Sequence, residues 1–390
     1  MRQDENYRAG PPASPGARRS YAVLSTYPPT PCGIATFSAA LCAGLVARGV
    51  DVGVVRVAGS LAGSDDLVVA RLDDSDPVPS PSAVDALHDA DVVIVQHEYG
   101  LYAGPDGSSI VEVLGELDRP SIVVAHTVLR EPTVNQRAVL EAVVGAADAV
   151  VVMTEAGRLR LCSGFDVDPG KVSVIAHGAA VAPSRRDVAG SSAGGLLTWG
   201  LLGPGKGIEW AIDALAMLDD VRPAVGYLIA GDTHPKVAAA HGEAYREMLQ
   251  ARAASAGVGR QVQFDAGYRG LPQLAELIRE SSVVVLPYDS PDQVTSGVLV
   301  DAVAAGRPVV ATAFPHAVEL LASGAGLVVP QRDPAALAGA LRRVLTEPGL
   351  ARTMAAEARR IAPALAWPAV AGRYAALGEQ LLARRAAVPA

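Results

Sequence analysis

The residues with the types and spacing to do chemistry are concentrated at 292–312, DQVTSGVLVDAVAAGRPVVAT. The apolar, β-branched run Val283, Val284, Val285 and Leu286 comes before it and reads as a buried parallel strand that breaks at Pro287 and Tyr288. Gly306 and Pro308 stop a helix, and 309–312 begins the next strand. Thr295, Ser296 and Gly297 therefore sit where that helix opens. Backbone N–H groups there lack intrahelical acceptors and face the positive end of the helix dipole, which suits a phosphate. Gly297 lets an anion come close. Asp301, four residues beyond Gly297, is expected near the mouth, where a carboxylate accepts hydrogen bonds from sugar hydroxyls. The same residues also fit an ordinary serine cap and an acid stabilised by the dipole, and this stretch alone leaves both readings open.

A second candidate lies at 200–207, GLLGPGKG, which begins like the phosphate loop G-x-x-x-x-G-K between a strand and a helix. Gly207 stands where that loop needs Ser or Thr to hold magnesium, so hydrolysis of that kind is not expected. What remains is Lys206 at a helix start, placed to neutralise a diphosphate without a metal; a solvated surface lysine is the alternative. Gly33, before a helix at 34–48, is a single glycine where the dinucleotide fingerprint has three.

His97 and Glu98 follow a strand at 92–96, His126 one at 121–125, and His177 one at 172–175. Three of the chain's seven histidines are thus expected on loops at the carboxyl edge of one sheet. No H-E-x-x-H spacing occurs, and no metal site is expected. His126, followed by Thr127, reads as functional, and His177 beside Gly178 as structural. Glu98 has the chemistry of an acid or base, with a solvated loop carboxylate as the alternative. Tyr268 and Arg269 read as a surface pair, and His316 and Glu319 as helix-start residues with a structural role.

The elements that must position these groups follow from length and pattern. At 390 residues the chain favours more than one domain, and half of its residues are hydrophobic with only 4% aromatic, which suits parallel strands covered by helices. Short β-branched strands alternate with Ala-rich helical stretches, the pattern of doubly wound sheets. The Gly, Ser and Ala content at 183–195 marks a linker between a first domain at 20–182 and a second at 196–367. A helix at 368–385 is expected to pack back on the first domain, and 1–19 to form a disordered tail. A formal net charge of -8 argues against a general nucleic-acid binder. Three cysteines with no C-x-x-C pair, no apolar core in the first twenty residues and no run of roughly 18 apolar residues lead to the expectation of a soluble, cytoplasmic protein.

With these pieces in place, the chain resembles the retaining, nucleotide-sugar-dependent glycosyltransferases of family 4, whose GT-B fold sets two Rossmann-like α/β domains across a cleft. The resemblance covers about 21–385. SGVLVDAVAAGRPVVAT matches the family's S-G-x-x-x-E-A-x-A-x-G-x-P-V-V-A, PPTPCGIATFSAAL its first-domain loop, and LLTWGLLGPGKGIEWAIDAL its basic loop. It implies that Ser296, Gly297 and Val298 offer N–H groups to a donor diphosphate, with Lys206 as countercharge. Asp301 would take the ribose hydroxyls, and Gln293 the donor sugar from the first position of the family's E-x7-E motif. Gly33 would approach the diphosphate from the other domain, His126 would lie near the reacting sugar, and His97 and Glu98 on the acceptor side. Gln293 and Asp301 replace both family glutamates, Cys32 replaces a glycine, and Leu201 or Leu202 stands where many members carry an arginine.

The activity implied is transfer of a sugar, without a metal or cofactor, from a nucleotide-diphosphate sugar to a hydroxyl of a glycan, lipid or small molecule. A lipid acceptor would bring transient membrane contact. The alternatives are a nucleotide-sugar-binding protein with little transfer, suggested by the replaced residues, and a GT-B epimerase acting on a nucleotide sugar.

Overall fold

The computed structural model describes residues 18–30, 32–57, 65–76, 78–180, 195–267 and 270–387. Seven strands form the first sheet: β1 (Ser20–Ser25), β2 (Asp51–Val57), β3 (Val68–Leu72), β4 (Val92–His97), β5 (Ser121–Ala125), β6 (Ala149–Val152) and β7 (Val172–Val174). They pair in parallel in the order β3-β2-β1-β4-β5-β6-β7. The helices α1 (Gly33–Val46), α2 (Pro81–His88), α3 (Ile110–Glu116), α4 (Val134–Ala146) and α5 (Glu155–Gly164) cover its two faces. Every residue of β4 and β5 is buried, and apart from Gln96 and His97 at the end of β4 and Ser121 at the start of β5 both read as apolar runs.

The second sheet has six parallel strands, β8 (Leu196–Trp199), β9 (Tyr227–Ala230), β10 (Val262–Asp265), β11 (Val283–Leu286), β12 (Val309–Thr312) and β13 (Gly326–Val329). Their order is β10-β9-β8-β11-β12-β13. Its helices are α6 (Ile208–Ala216), α7 (Pro235–His241), α8 (Ala244–Ser255), α9 (Leu271–Glu280), α10 (Gly297–Ala304), α11 (Pro315–Leu321), α12 (Pro334–Thr346) and α13 (Pro348–Leu365).

Three expectations change. His97 is the last residue of β4 rather than the first of a loop, because it pairs in register with Ala125 of β5. The strand expected from 225 begins at Tyr227, and β13, an edge strand with only one buried residue, was not expected although Leu327, Val328 and Val329 are apolar. The linker expected at 183–195 lies outside the described residues except for Gly195, as do 1–17 of the expected tail, Tyr268 and Arg269.

A final helix, α14 (Trp367–Ala387), leaves the second sheet and packs on α1 and β1. The Trp367 and Phe37 rings meet edge to face at 5.0 Å, and Tyr21 donates to the Ala375 carbonyl at 3.2 Å. Where the chain crosses, Ala179 donates its N–H to the Leu365 carbonyl at 2.8 Å and accepts from Trp367 at 3.3 Å. The two crossing segments are thus bonded side by side. The helix contact is close: a Cβ on Gly44 of α1 would lie 2.7 Å from the Ala371 Cβ. Gly44→Val is therefore expected to destabilise the fold by about 1–3 kcal/mol, as overpacking does. Urea unfolding measures it, and an unchanged midpoint would show that this contact has room to yield.

Candidate functional site

In each sheet the chain reverses its direction of winding once, between β1 and β4 and between β8 and β11. The loops at the carboxyl ends of those four strands diverge and leave a crevice. The loop after β8 carries Lys206, the loop after β11 carries Gln293 and Ser296, the loop after β1 leads to Gly33, and the residue after β4 is Glu98. Topology alone therefore gathers most of the expected residues.

On the second-sheet side, Ser296 caps α10, its hydroxyl accepting from Leu299 N at 3.2 Å. The Ser296 N–H, expected to face a diphosphate, instead donates to His316 Nδ1 at 2.8 Å, so only Gly297 and Val298 open the helix without an intrahelical acceptor. A Cβ on Gly297 would sit 2.9 Å from the His177 ring, so the space that glycine frees is filled by a histidine of the other domain. Lys206 Nζ lies 4.6 Å from the centre of the Tyr288 ring, and no carboxylate pairs with it among the described residues. Gly207 has a left-handed backbone (φ 62°), and a Cβ there would come within 2.0 Å of the Pro287 carbonyl oxygen. Serine or threonine is excluded on steric grounds, which removes the phosphate-loop alternative. The Gln293 side-chain amide donates to the Thr295 carbonyl, leaving its oxygen as the free acceptor. Asp301 is half-buried, and burial raises its carboxyl to about 7, with no hydrogen bond to it among the described residues.

On the first-sheet side, Cys32 caps α1 through its sulfur, which accepts from Ala35 N at 3.3 Å. Gly33 has open space where a Cβ would be. His126 Nε2 lies 2.6 Å from Gln96 Oε1, and Phe37 packs edge-on against both His126 and His177 at 5.0 and 5.1 Å. Burial lowers His97 and His177 to about 4. Burial, with repulsion from His177 added, lowers His126 and His316 to about 3. Four neutral imidazoles thus line one region, and His177, expected to be structural, is among them. His177 Nδ1 donates to the Gly178 carbonyl at 2.7 Å, which leaves its Nε2 as an acceptor. His97 is buried, with neither ring nitrogen bonded among the described residues, and does not stand on an open acceptor surface. Among the described residues no group of three His, Cys, Asp or Glu is arranged to hold a metal. Glu98 accepts from Thr127 Oγ1 at 2.5 Å and from Tyr99 N at 3.0 Å; burial raises its pKa against these bonds and against Lys236.

Sequence reasoning missed the residues that join the halves. Lys236, of the second domain, reaches over Gly100, where a Cβ would lie 3.3 Å from its Nζ. The Asp292 carboxylate accepts from Arg130 N at 2.8 Å and from Arg160 Nη1 at 3.3 Å. Thr154 Oγ1 donates to the Val294 carbonyl at 2.9 Å. Glu319 accepts from Glu155 N and Ala156 N at 2.9 and 3.0 Å, so its structural role is to hold the first turn of α5 from across the cleft. None of these residues has a diagnostic spacing. The available signal was Thr154 before the acidic Glu155, a helix-start pattern, and it did not say what lay opposite.

Two parallel-sheet α/β domains facing across switch-point loops define the GT-B class of glycosyltransferase folds. The sequence model described as "Glycosyltransferase Family 4" matches residues 31–182, and "Glycosyl transferases group 1" matches 195–361; the chain belongs to this family. A D-inositol 3-phosphate glycosyltransferase of Jonesia denitrificans is 31% identical over 250 residues, covering 58% of this chain and 55% of that protein. One from Streptomyces bingchenggensis is 28% identical over 249 residues, covering 60% and 53%. The chain thus spans about half the length of the curated relatives it matches. Anabaena HepE, solved with UDP, superposes with a TM-score of 0.70 at 19% identity over 93% of this chain and 100% of that one. A sucrose-phosphate synthase from Thermosynechococcus elongatus gives 0.73 at 20% over 94% and 100%.

The buried histidines set a pH dependence. Their folded pKa values lie below the usual 6.5, so the unfolded chain takes up protons that the native state refuses. Their favourable share is complete above about pH 6.5 and is lost as pH falls toward 4. Asp301, raised to about 7, and Glu98, also raised by burial, act in the opposite sense, but they are two groups against four. The urea midpoint is expected to fall between pH 7 and pH 5, and a flat or rising midpoint would contradict the neutral cluster.

Proposed function

We propose that the protein transfers a sugar from a nucleoside-diphosphate donor to an acceptor hydroxyl, with retained anomeric configuration and without a metal. The observation that carries this reading is that the loops of one switch point supply both an ammonium with no carboxylate partner among the described residues, Lys206, and the helix start at Gly297 and Val298, whose amides lack intrahelical acceptors. Both act on negative charge. As the bond from the sugar C1 to the diphosphate breaks, charge grows on the departing phosphate oxygen, and preorganised donors in a water-poor cleft stabilise it more than bulk water does. The new bond forms between C1 and the acceptor oxygen, whose proton leaves as that bond closes. Asp301 is assigned to the ribose hydroxyls, the Gln293 side-chain oxygen to the sugar, and Gly33 to the diphosphate from the facing domain. His126, neutral and fixed by Gln96, is assigned to the reacting sugar, and Glu98 with Thr127 to the acceptor side.

The neighbours support a uridine nucleotide as the first donor to test, because HepE has been solved with UDP and with UDP-glucose. The D-inositol 3-phosphate glycosyltransferases that the chain resembles support a hydroxyl acceptor. No helix among the described residues is long and apolar enough to cross a membrane.

Thermal-shift titration with UDP, GDP and ADP, followed by nucleoside-diphosphate release from the matching sugar nucleotide, tests the reading; no shift with any of the three would remove its basis. Lys206→Ala is expected to lower turnover by about a hundredfold with the fold intact, the usual loss for one preorganised stabilising group. Unchanged turnover would remove Lys206 from this role. Asp301 adds a pH signature, since its ionised form accepts two hydroxyls and its pKa is about 7. Affinity for the nucleoside diphosphate is expected to rise by about tenfold from pH 6 to pH 8 as the carboxyl ionises. Asp301→Asn isolates this effect from titration of the phosphate, and a variant that keeps the full slope would show that Asp301 does not face the ligand.

A further inference from the structure

The loop between β11 and α10 is shared property of the two domains. It belongs by sequence to the second sheet, yet Pro291, Asp292 and Val294 along it are held by the first. The Pro291 carbonyl accepts from Arg160 Nη2 at 3.0 Å, and Asp292 takes Arg160 Nη1 and the Arg130 N–H. Val294 is 3% exposed and packs within the apolar cluster of the first sheet, where its carbonyl takes the Thr154 hydroxyl. Arg160 is braced in turn, its Nη1 donating at 3.0 Å to the Val128 carbonyl. Thr154 is braced as well, since the same hydroxyl caps α5 by accepting from Gly157 N at 2.9 Å. Gln293 stands between the two gripped positions, and Ser296 opens α10 two residues further on.

The second domain holds the loop at its two ends, Asp289 by the Gly205 carbonyl, Trp210 and Arg332, and Ser296 by His316, and holds little between them. Val294 N bonds to Asp292 O at 2.7 Å, Asp292 N to Ser290 Oγ at 3.3 Å, and Gln331 reaches the Ser290 carbonyl at 3.4 Å. The first two are bonds of the loop to itself, and the third meets it at its entrance. Its middle is therefore placed by groups from across the cleft.

We propose that Arg160 and Thr154 are positioning residues for the donor site. They set Gln293 from the opposite domain, so the sugar end of the site is complete only when the two sheets are closed on each other. The nucleoside diphosphate end rests on Lys206 and on the start of α10, which His316 of the same domain holds through the Ser296 N–H, and Gly33, its one contribution from the facing domain, is placed by α1 rather than by this loop. This deepens the donor reading and depends on it. It also gives a reason for the fork of Arg160, whose two terminal nitrogens reach three oxygens at Val128, Pro291 and Asp292.

The experiment compares wild type, Arg160→Ala, Arg160→Lys, Thr154→Val and Lys206→Ala in three measurements. They are amide hydrogen exchange of residues 288–296, affinity for whichever of UDP, GDP and ADP binds wild type tightest, and release of that nucleotide from UDP-glucose, GDP-mannose or ADP-glucose. In Arg160→Ala and Thr154→Val, exchange of 288–296 is expected to quicken by about tenfold while both sheets keep their protection. Nucleoside-diphosphate affinity should stay within about twofold while release from the sugar nucleotide slows by at least about tenfold, a split that loss of a merely structural contact would not produce. Arg160→Lys should recover part of the loss. Unchanged exchange at 288–296, exchange that quickens throughout both sheets, or affinity that falls in step with release would each overturn the proposal. Lys206→Ala separates the two levels: if it keeps full nucleotide affinity the donor reading fails, while the exchange data still judge the clamp without any turnover.

Discussion

A hydroxyl that both caps a helix and reaches into another domain can do so only if the two domains hold one relative position, and Thr154 is such a hydroxyl. Its bond to the Val294 carbonyl places a loop of the second sheet inside the apolar cluster of the first. The features that suit the crevice to chemistry depend on that placement. His177 fills the space in front of Gly297, Glu319 meets the exposed amides of α5, and Lys236 comes to Glu98. With the loop elsewhere, four histidines, a lysine and a helix start would belong to separate surfaces in water. Joined, they share a region dry enough to keep the imidazoles neutral and a carboxyl near its midpoint at physiological pH.

Much of the fold was legible because parallel sheets write themselves plainly. A strand buried on both faces leaves a β-branched run, and β5, β8, β11 and β12 begin and end where those runs do. β13 escaped because its apolar residues, Leu327, Val328 and Val329, form only a three-residue run between Gly326 and Pro330, and just one of them is buried. His97 was misplaced because a polar side chain at a strand end looks like a loop until its register with Ala125 is known. The gathering of Lys206, Gly33, Glu98 and Ser296 was legible for a different reason: in a doubly wound sheet the carboxyl-end loops share one edge whatever their sequence.

Chemistry at the site was legible by type and poorly by partner. Ser296 was recognisable as a helix start, but a histidine twenty residues later takes its N–H, and nothing in the spacing of 296 and 316 announces that. Gly297 was read as room for an anion, whereas a ring from a segment 120 residues earlier uses the room. His177 was read as a structural histidine because it lies beside Gly178 near the linker, and it does bond the Gly178 carbonyl, but its ring also faces Gly297. Contacts between domains carry no local periodicity, and Arg160, Thr154, Asp292 and Lys236 each look like ordinary polar residues of their own helix or loop. Cys32 shows the converse: a substitution that looked like a defect supplies a cap.

The pairing of Ala179 with Leu365 and Trp367 has a mechanical meaning. A domain tied by one strand can twist and translate about its tether. Here the outgoing and returning segments lie bonded flank to flank, and α14 then anchors the return along α1. Two joined ribbons resist torsion and sideways slip while bending across their common width, as a door on a long hinge does. Bending across that paired crossing is the movement its two bonds oppose least, and it is the movement that would lift Val294 from its seat in the first domain.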